Sequence, residues 1–389
     1  MNYIKLGLII GLCGLVFSTA LTPAHTQADD PLLTLLASAA SEPAFPQMAA
    51  NTVSYADYRA IEQASGVASP RNRAAFEALS PAEQAAWEAA LLRIYGGPAN
   101  WPNLTREKIA EMPELVGFDF FDVDQALRYG ADPFVATLFH SADGALSSVA
   151  TGQALRARGY QPQIVPTGLA WGRGGDGMTD INQIQNGDPF GGDVGLASRV
   201  AVLDSQMVGN AFIWSILARV AQAHAGEVPS YADLPEYQAM STALQAGDGA
   251  LLQAFILNEL AGEAQTAPAE LDAPGLPPYV LAATADLQAD TQSIHRVIVL
   301  YADASAAEQA AAQLPALISA FDNDWLDTLG FDAQPPSTRS YGSYTAVTYD
   351  LLGPPTTQDT SDYGPSLIFG FWANAIRQGR FSPFALPPS

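Results

Sequence analysis

Residues 172–195 carry the densest run of side chains able to do chemistry: Asp176, Asp180, Asn182, Asn186, Asp188 and Asp193, set among glycines. Carboxylate and amide oxygens are the ligands that calcium takes, six to eight at a time. The spacing departs from an EF-hand, because Met178 stands where an oxygen ligand belongs and no glutamate closes the loop. Asp and Asn also populate turns for their own sake. The expectation is therefore a turn-rich loop in which Asp176, Asp180, Asn182, Asp188 and Asp193 are the candidate calcium ligands; no other cofactor is expected.

Other chemistry is thin. Gly172, Gly174 and Gly177 match a dinucleotide fingerprint after a strand. The context fails: Asp176 places a negative charge in the loop, and no long apolar-faced helix follows to receive a pyrophosphate. Asp119, Asp122 and Asp124 could supply the paired carboxylates of glycoside chemistry, although helix capping accounts for Asp122. His25, His140, His224 and His295 have no metal-ligand partner at nearby spacing, and Cys13 is the only cysteine. There is no nucleophile elbow and no paired-histidine helix, so no catalytic residue is assigned. Tyr341, Tyr344 and Tyr349, with Trp171, Trp214 and Trp372, could line a ligand groove or equally belong to the core.

The elements that must position these residues follow from hydrophobic periodicity. Residues 134–140, 142–158 and 161–171 read as strand, helix, strand; a similar unit spans 294–352. Around the first unit, the pattern predicts a strand over 116–121, a short helix over 125–129, a strand over 199–203, helices after Asn210 and over 230–244, and a strand over 251–257. Beyond it come a hairpin of 279–287 with 293–301, and a helix from Asp303 to Phe321 that Pro315 should kink or divide. A Tyr- and Thr-rich strand or bent hairpin over 339–352 and a closing helix over 363–377 complete the chain. The N-terminal part reads as helices only, with Ser54 capping 55–64 and Ser80 and Glu83 forming a capping box for 80–95.

This predicts an α+β protein: residues 1–28 a signal peptide, 29–50 a flexible tether, 51–112 a helical N-terminal region. Two related ferredoxin-like antiparallel sheet-plus-helix units follow, 113–258 and 279–389, joined by an Ala- and Pro-rich linker over 259–278. The run from Pro113 to Tyr160, with Gly117, Phe118, Asp119, Asp122 and the Ala157-Arg158-Gly159-Tyr160 helix end, resembles exported bacterial envelope proteins of unknown function, as does 230–244. The resemblance implies an exported bacterial protein and no particular activity.

Bulk properties narrow the function classes. The 389 residues are 48% hydrophobic and carry 40 acidic against 17 basic side chains, a formal charge of −23. Such a surface repels phosphate backbones and excludes nucleic acid as a partner. Lys5, an apolar run over 6–17 and small residues at 18–20 are the layout of a secretory signal, which would remove Cys13 on cleavage. No later segment is long and apolar enough to span a bilayer. The expected location is extracellular or in the cell envelope. The expected function is non-enzymatic binding of a protein partner or small ligand; the alternative is an extracytoplasmic hydrolase with a dispersed carboxylate site, assisted by calcium.

Overall fold

The computed structural model describes residues 30–45, 51–95, 106–131, 134–184, 188–191, 195–247, 249–258, 275–290, 292–322, 325–354, 366–378, 384 and 386. The expected signal peptide, residues 1–28, lies outside the described residues. Among the described residues, thirteen strands form a single sheet in which every pair is antiparallel.

The sheet is built outward from its middle. Strand β1 (Thr52–Asp57) points Val53 and Tyr55 to one face and Ala56 to the other. It pairs with β2 (Gln125–Ala131) on one side and β8 (Ala250–Asn258) on the other. From β2 the sheet continues through β3 (Phe134–His140), β7 (Met207–Ala211), β6 (Ser198–Val202), β5 (Gly168–Arg173) and β4 (Gln161–Val165). From β8 it continues through β9 (Leu281–Gln288), β10 (Ser293–Tyr301) and β13 (Tyr344–Gly353). One edge of β13 is shared by β11 (Asp332–Ala333) and β12 (Ser337–Tyr341). Pro335 and Pro336 lie between those two, where residues without an N–H interrupt the ladder.

Helices cover both faces. Helices α1 (Pro31–Leu36), α7 (Trp214–His224) and α8 (Pro235–Leu244) pack on the Val53 and Tyr55 face. The other face of the first half takes α2 (Tyr58–Ala64), α3 (Arg73–Glu77), α4 (Pro81–Leu91), α5 (Arg106–Val116) and α6 (Ser148–Ala157). In the second half that face takes α9 (Ala304–Asp322) and α10 (Ser366–Arg377). Coverage on both sides explains why all of β10 and nearly all of β9 are buried, without the alternation of a half-exposed strand.

Several expectations are corrected. The anticipated ferredoxin-like pair of sheets is one sheet, continuous through the β1–β8 ladder. In the second half, β10, α9, β12 and β13 do form a split β-α-β with order β10-β13-β12. The strand outside β10, however, is β9, which precedes it through a hairpin; a ferredoxin-like unit adds that strand last, over a second helix. The tether is partly structured, since Leu32, Leu33, Leu35 and Leu36 of α1 are buried. The helical N-terminal region contributes the central strand, and α2 begins one turn later than expected, capped by Asp57.

Residues 125–129, expected helical, are β2: pairing with two neighbours outweighs the local helix propensity of Gln, Ala, Leu and Arg. Residues 116–121 end α5 and enter a 3-10 turn rather than a strand. The single strand expected over 161–171 is a hairpin that turns at Pro166 and Thr167. Pro315 lies inside α9 without dividing it. The linker falls mostly outside the described residues, and the strands flanking it, β8 and β9, are paired neighbours. A Pro- and Ala-rich connection reads the same whether it joins two domains or two strands of one sheet.

Candidate functional site

The loop that follows β5 was expected to gather carboxylates. Each described one is instead occupied. Asp176 Oδ1 accepts from the Trp214 backbone N–H at 2.9 Å, closing the N-terminus of α7, and meets Arg199 Nε at 3.3 Å. Asp180 Oδ1 accepts from the backbone and side-chain amides of Asn182 at 2.9 and 3.0 Å, capping a 3-10 turn. Asp188, fully buried, accepts from Phe190 N–H at 2.9 Å and is bonded to Arg158 Nη2. Asp193 lies outside the described residues. Among the described residues, no group of three or more His, Cys, Asp or Glu side chains is arranged to hold a metal ion.

The glycine spacing has a steric cause. A Cβ on Gly172 would sit 2.4 Å from the Trp214 ring, while Gly174 and Gly177 hold positive φ in the turn that carries Asp176 to α7. The loop is closed by backbone pairing: Asp180 N–H donates to Gly195 O, and Ala197 N–H to Met178 O, both at 2.8 Å.

The cations of this region are four arginines. Arg173 ends β5 and Arg199 lies on β6, while Arg156 and Arg158 close the C-terminal end of α6. Arg199 donates to the carbonyls of Arg173, Ser198 and Gly174 at 2.5, 2.9 and 3.0 Å and lies 5.1 Å from the Trp214 ring. Burial pushes its guanidinium below the ordinary value. Arg156 lies over Trp171, whose ring in turn fills the space a Cβ on Gly152 would need. Arg158 and Arg173 lie 5.5 and 5.2 Å from the Tyr160 ring. Burial, and then the Asp188 charge, push the Tyr160 hydroxyl up to about 12, so it keeps its proton.

The Pro113–Tyr160 run builds this place. Gly117 holds φ 82° with Thr151 backbone 2.4 Å from where its Cβ would be, and Arg158 Nη1 reaches Leu115 O at 2.5 Å. Sequence reasoning passed over these arginines because their shared location is tertiary; in a chain with so few cations their recurrence around 156–173 was the available signal.

The remaining candidates separate. Asp119 and Asp122 form the capping box of the 3-10 turn, both raised chiefly by burial. Asp124 is buried between Arg59 at 2.7 Å and Arg71 at 3.0 Å. His224 pairs with Asp204 at 3.1 Å and His295 lies in the second half on β10. His140 ends a row across three strands: its Nδ1 lies 2.6 Å from Gln125 Oε1, and Gln125 Nε2 donates to Asp57 Oδ2 at 3.1 Å. Burial lowers His140 and raises Asp57. Trp171, Trp214 and Trp372 belong to three different packing regions, so the aromatic set does not line one groove.

Exposed apolar side chains occur on the hairpin and the loop that flank β5. Ile164 and Leu169 are cross-strand partners on the β4–β5 hairpin at the sheet edge, and Met178, Ile181 and Ile184 follow on the loop. Ile164 is 84% exposed and Ile181 74%. The edge strand itself, Gln161–Val165, carries no charge, and only Pro162 blunts it.

No family model matches the chain, and no curated protein matches it. Among solved structures, crystal form I of TP0453 aligns with a TM-score of 0.37 and 8% identity, covering 89% of this chain and 96% of that one.

Proposed function

We propose that this is an exported, non-enzymatic envelope protein of two related α+β units that binds a protein partner through the β4 end of its sheet. The observation that carries the reading is the exposed cross-strand pair Ile164 and Leu169 on an uncharged sheet edge of a strongly acidic chain, with Met178, Ile181 and Ile184 also exposed on the loop beyond β5. Large apolar side chains left exposed as neighbours, as Ile164 and Leu169 are, mark interaction surfaces. An edge strand free of charge offers its backbone to a further strand. The partner's expected chemistry is an apolar segment able to lie along that edge. The described carboxylates of the loop are held by arginines and backbone amides, which favours binding over catalysis. Relatedness of the units is supported by a partly shared order: three neighbouring antiparallel strands, a helix, an antiparallel run whose last strand returns beside the third (four strands, β4–β7, in the first half; the β12–β13 hairpin in the second), then a helix.

The test is site-specific photocross-linking in the native envelope, with the probe at Ile164 or Ile181 and, as control, at Ser340 on the opposite sheet edge. The expected result is a discrete adduct from 164 and 181 that is missing from 340 and is lost when Leu169→Asp is added. Equal adducts from all three positions, or none from 164 and 181, would remove the docking surface.

A further inference from the structure

We propose that Arg173 and Tyr160 form a buried site for a small oxyanion, a carboxylate or a phosphate. The Arg173 side chain is 7% exposed and Tyr160 1%. Of the Arg173 guanidinium, Nε and Nη2 are buried without a hydrogen-bond partner. These two nitrogens are the side-on fork that grips carboxylate and phosphate oxygens with parallel bonds. The Tyr160 hydroxyl is buried without a partner as well, although Ser198 lies beside it. The same ring packs against the Arg173 guanidinium at 5.2 Å.

The nearest carboxylate does not close the site. Asp188 Oδ2 is 3.9 Å from Arg173 Nη2, beyond hydrogen-bond reach, and that oxygen is already bonded to Arg158 Nη2. Three buried donors on adjoining side chains are therefore left over: two N–H groups of the fork and one O–H. A single water accepts two hydrogen bonds, whereas a carboxylate offers about four acceptor positions and adds a second negative charge where two buried guanidinium groups share the one Asp188 carboxylate. A cation is excluded by the same donors. The site is separate from the docking surface proposed above and does not depend on a protein partner.

The experiment follows thermal unfolding of the purified protein in rising acetate, and separately in rising phosphate, at constant pH and constant ionic strength. The expected result is a saturable rise in melting temperature with at least one anion; the tighter of the two names the ligand class. Arg173→Gln should abolish the rise and the exposed Arg339→Gln should leave it unchanged. Tyr160→Phe keeps the ring and removes one donor, so the apparent affinity should fall about three- to tenfold, the range of a single hydrogen bond. If Arg173→Gln does not fold, Tyr160→Phe carries the test. A flat response of the unmodified protein to both anions, or an undiminished rise in Tyr160→Phe, overturns the site.

Discussion

His295 shows how a single side chain records its surroundings. Its Nε2 lies 3.0 Å from Thr284 Oγ1, its Nδ1 has no partner, and its ring meets Trp372 edge-on with centroids 4.7 Å apart. Burial lowers it to about 3 from an ordinary value near 6.5. Between those values the unfolded chain binds a proton that the folded chain refuses. The stability tied to the neutral ring is thus complete above about pH 6.5 and is lost as the pH falls toward 3. Asp57, Asp119 and Asp122 act in the opposite sense: burial raises them, so their folded forms keep protons longer and their effect turns unfavourable as the pH rises. Urea unfolding from about pH 4 to 7 should show a flatter acid limb in His295→Asn, by at most about 1.4 kcal/mol per pH unit for one proton. Identical slopes in both proteins would refute the assignment. The strand position of His295 was readable from its apolar neighbours; the ring that covers it was not, because Trp372 arrives from the last helix.

Among elements, α4 illustrates what local pattern does and does not reveal. The capping box of Ser80 and Glu83 was legible and is present, with Ser80 N–H donating to Glu83 Oε2 at 2.7 Å. Its docking was not. Just after α4 ends, Arg93 reaches β9 and grips Asp286 through Nε and Nη2 at 2.9 and 2.7 Å, and both side chains are almost fully buried. Gln253 on β8 bridges them, donating to Arg93 O at 2.7 Å and Asp286 Oδ2 at 3.2 Å. Removing one partner leaves a buried charge, so Arg93→Met should cost about 3–5 kcal/mol. The double variant Arg93→Met with Asp286→Leu should recover most of that loss. Equilibrium denaturation of the two variants decides it: a double variant no more stable than the single one would mean the cost lay in packing rather than in the orphaned carboxylate.

At the scale of the molecule, the decisive element is β1, which the sequence presented as part of a helix. It lies between β2 and β8, so the two halves share one sheet only through it. A chain beginning at residue 58 should therefore lose its cooperative thermal transition, whereas one beginning at Asp30 should keep it. Circular dichroism melts would show this, and an unchanged sharp transition in the shorter chain would mean β2 and β8 can close without β1. Composition, charge, the helices with strong apolar stripes and the capping box of α4 were determined by sequence alone, since each depends on residues within a few turns of one another. The strand at 52–57, the hairpin at 161–173 and the meeting of Arg158 and Arg173 at Asp188 and Tyr160 were decided only by tertiary structure. Short segments carry too little periodicity to declare themselves, and side chains that meet across a sheet are brought there by pairing between strands far apart in the chain.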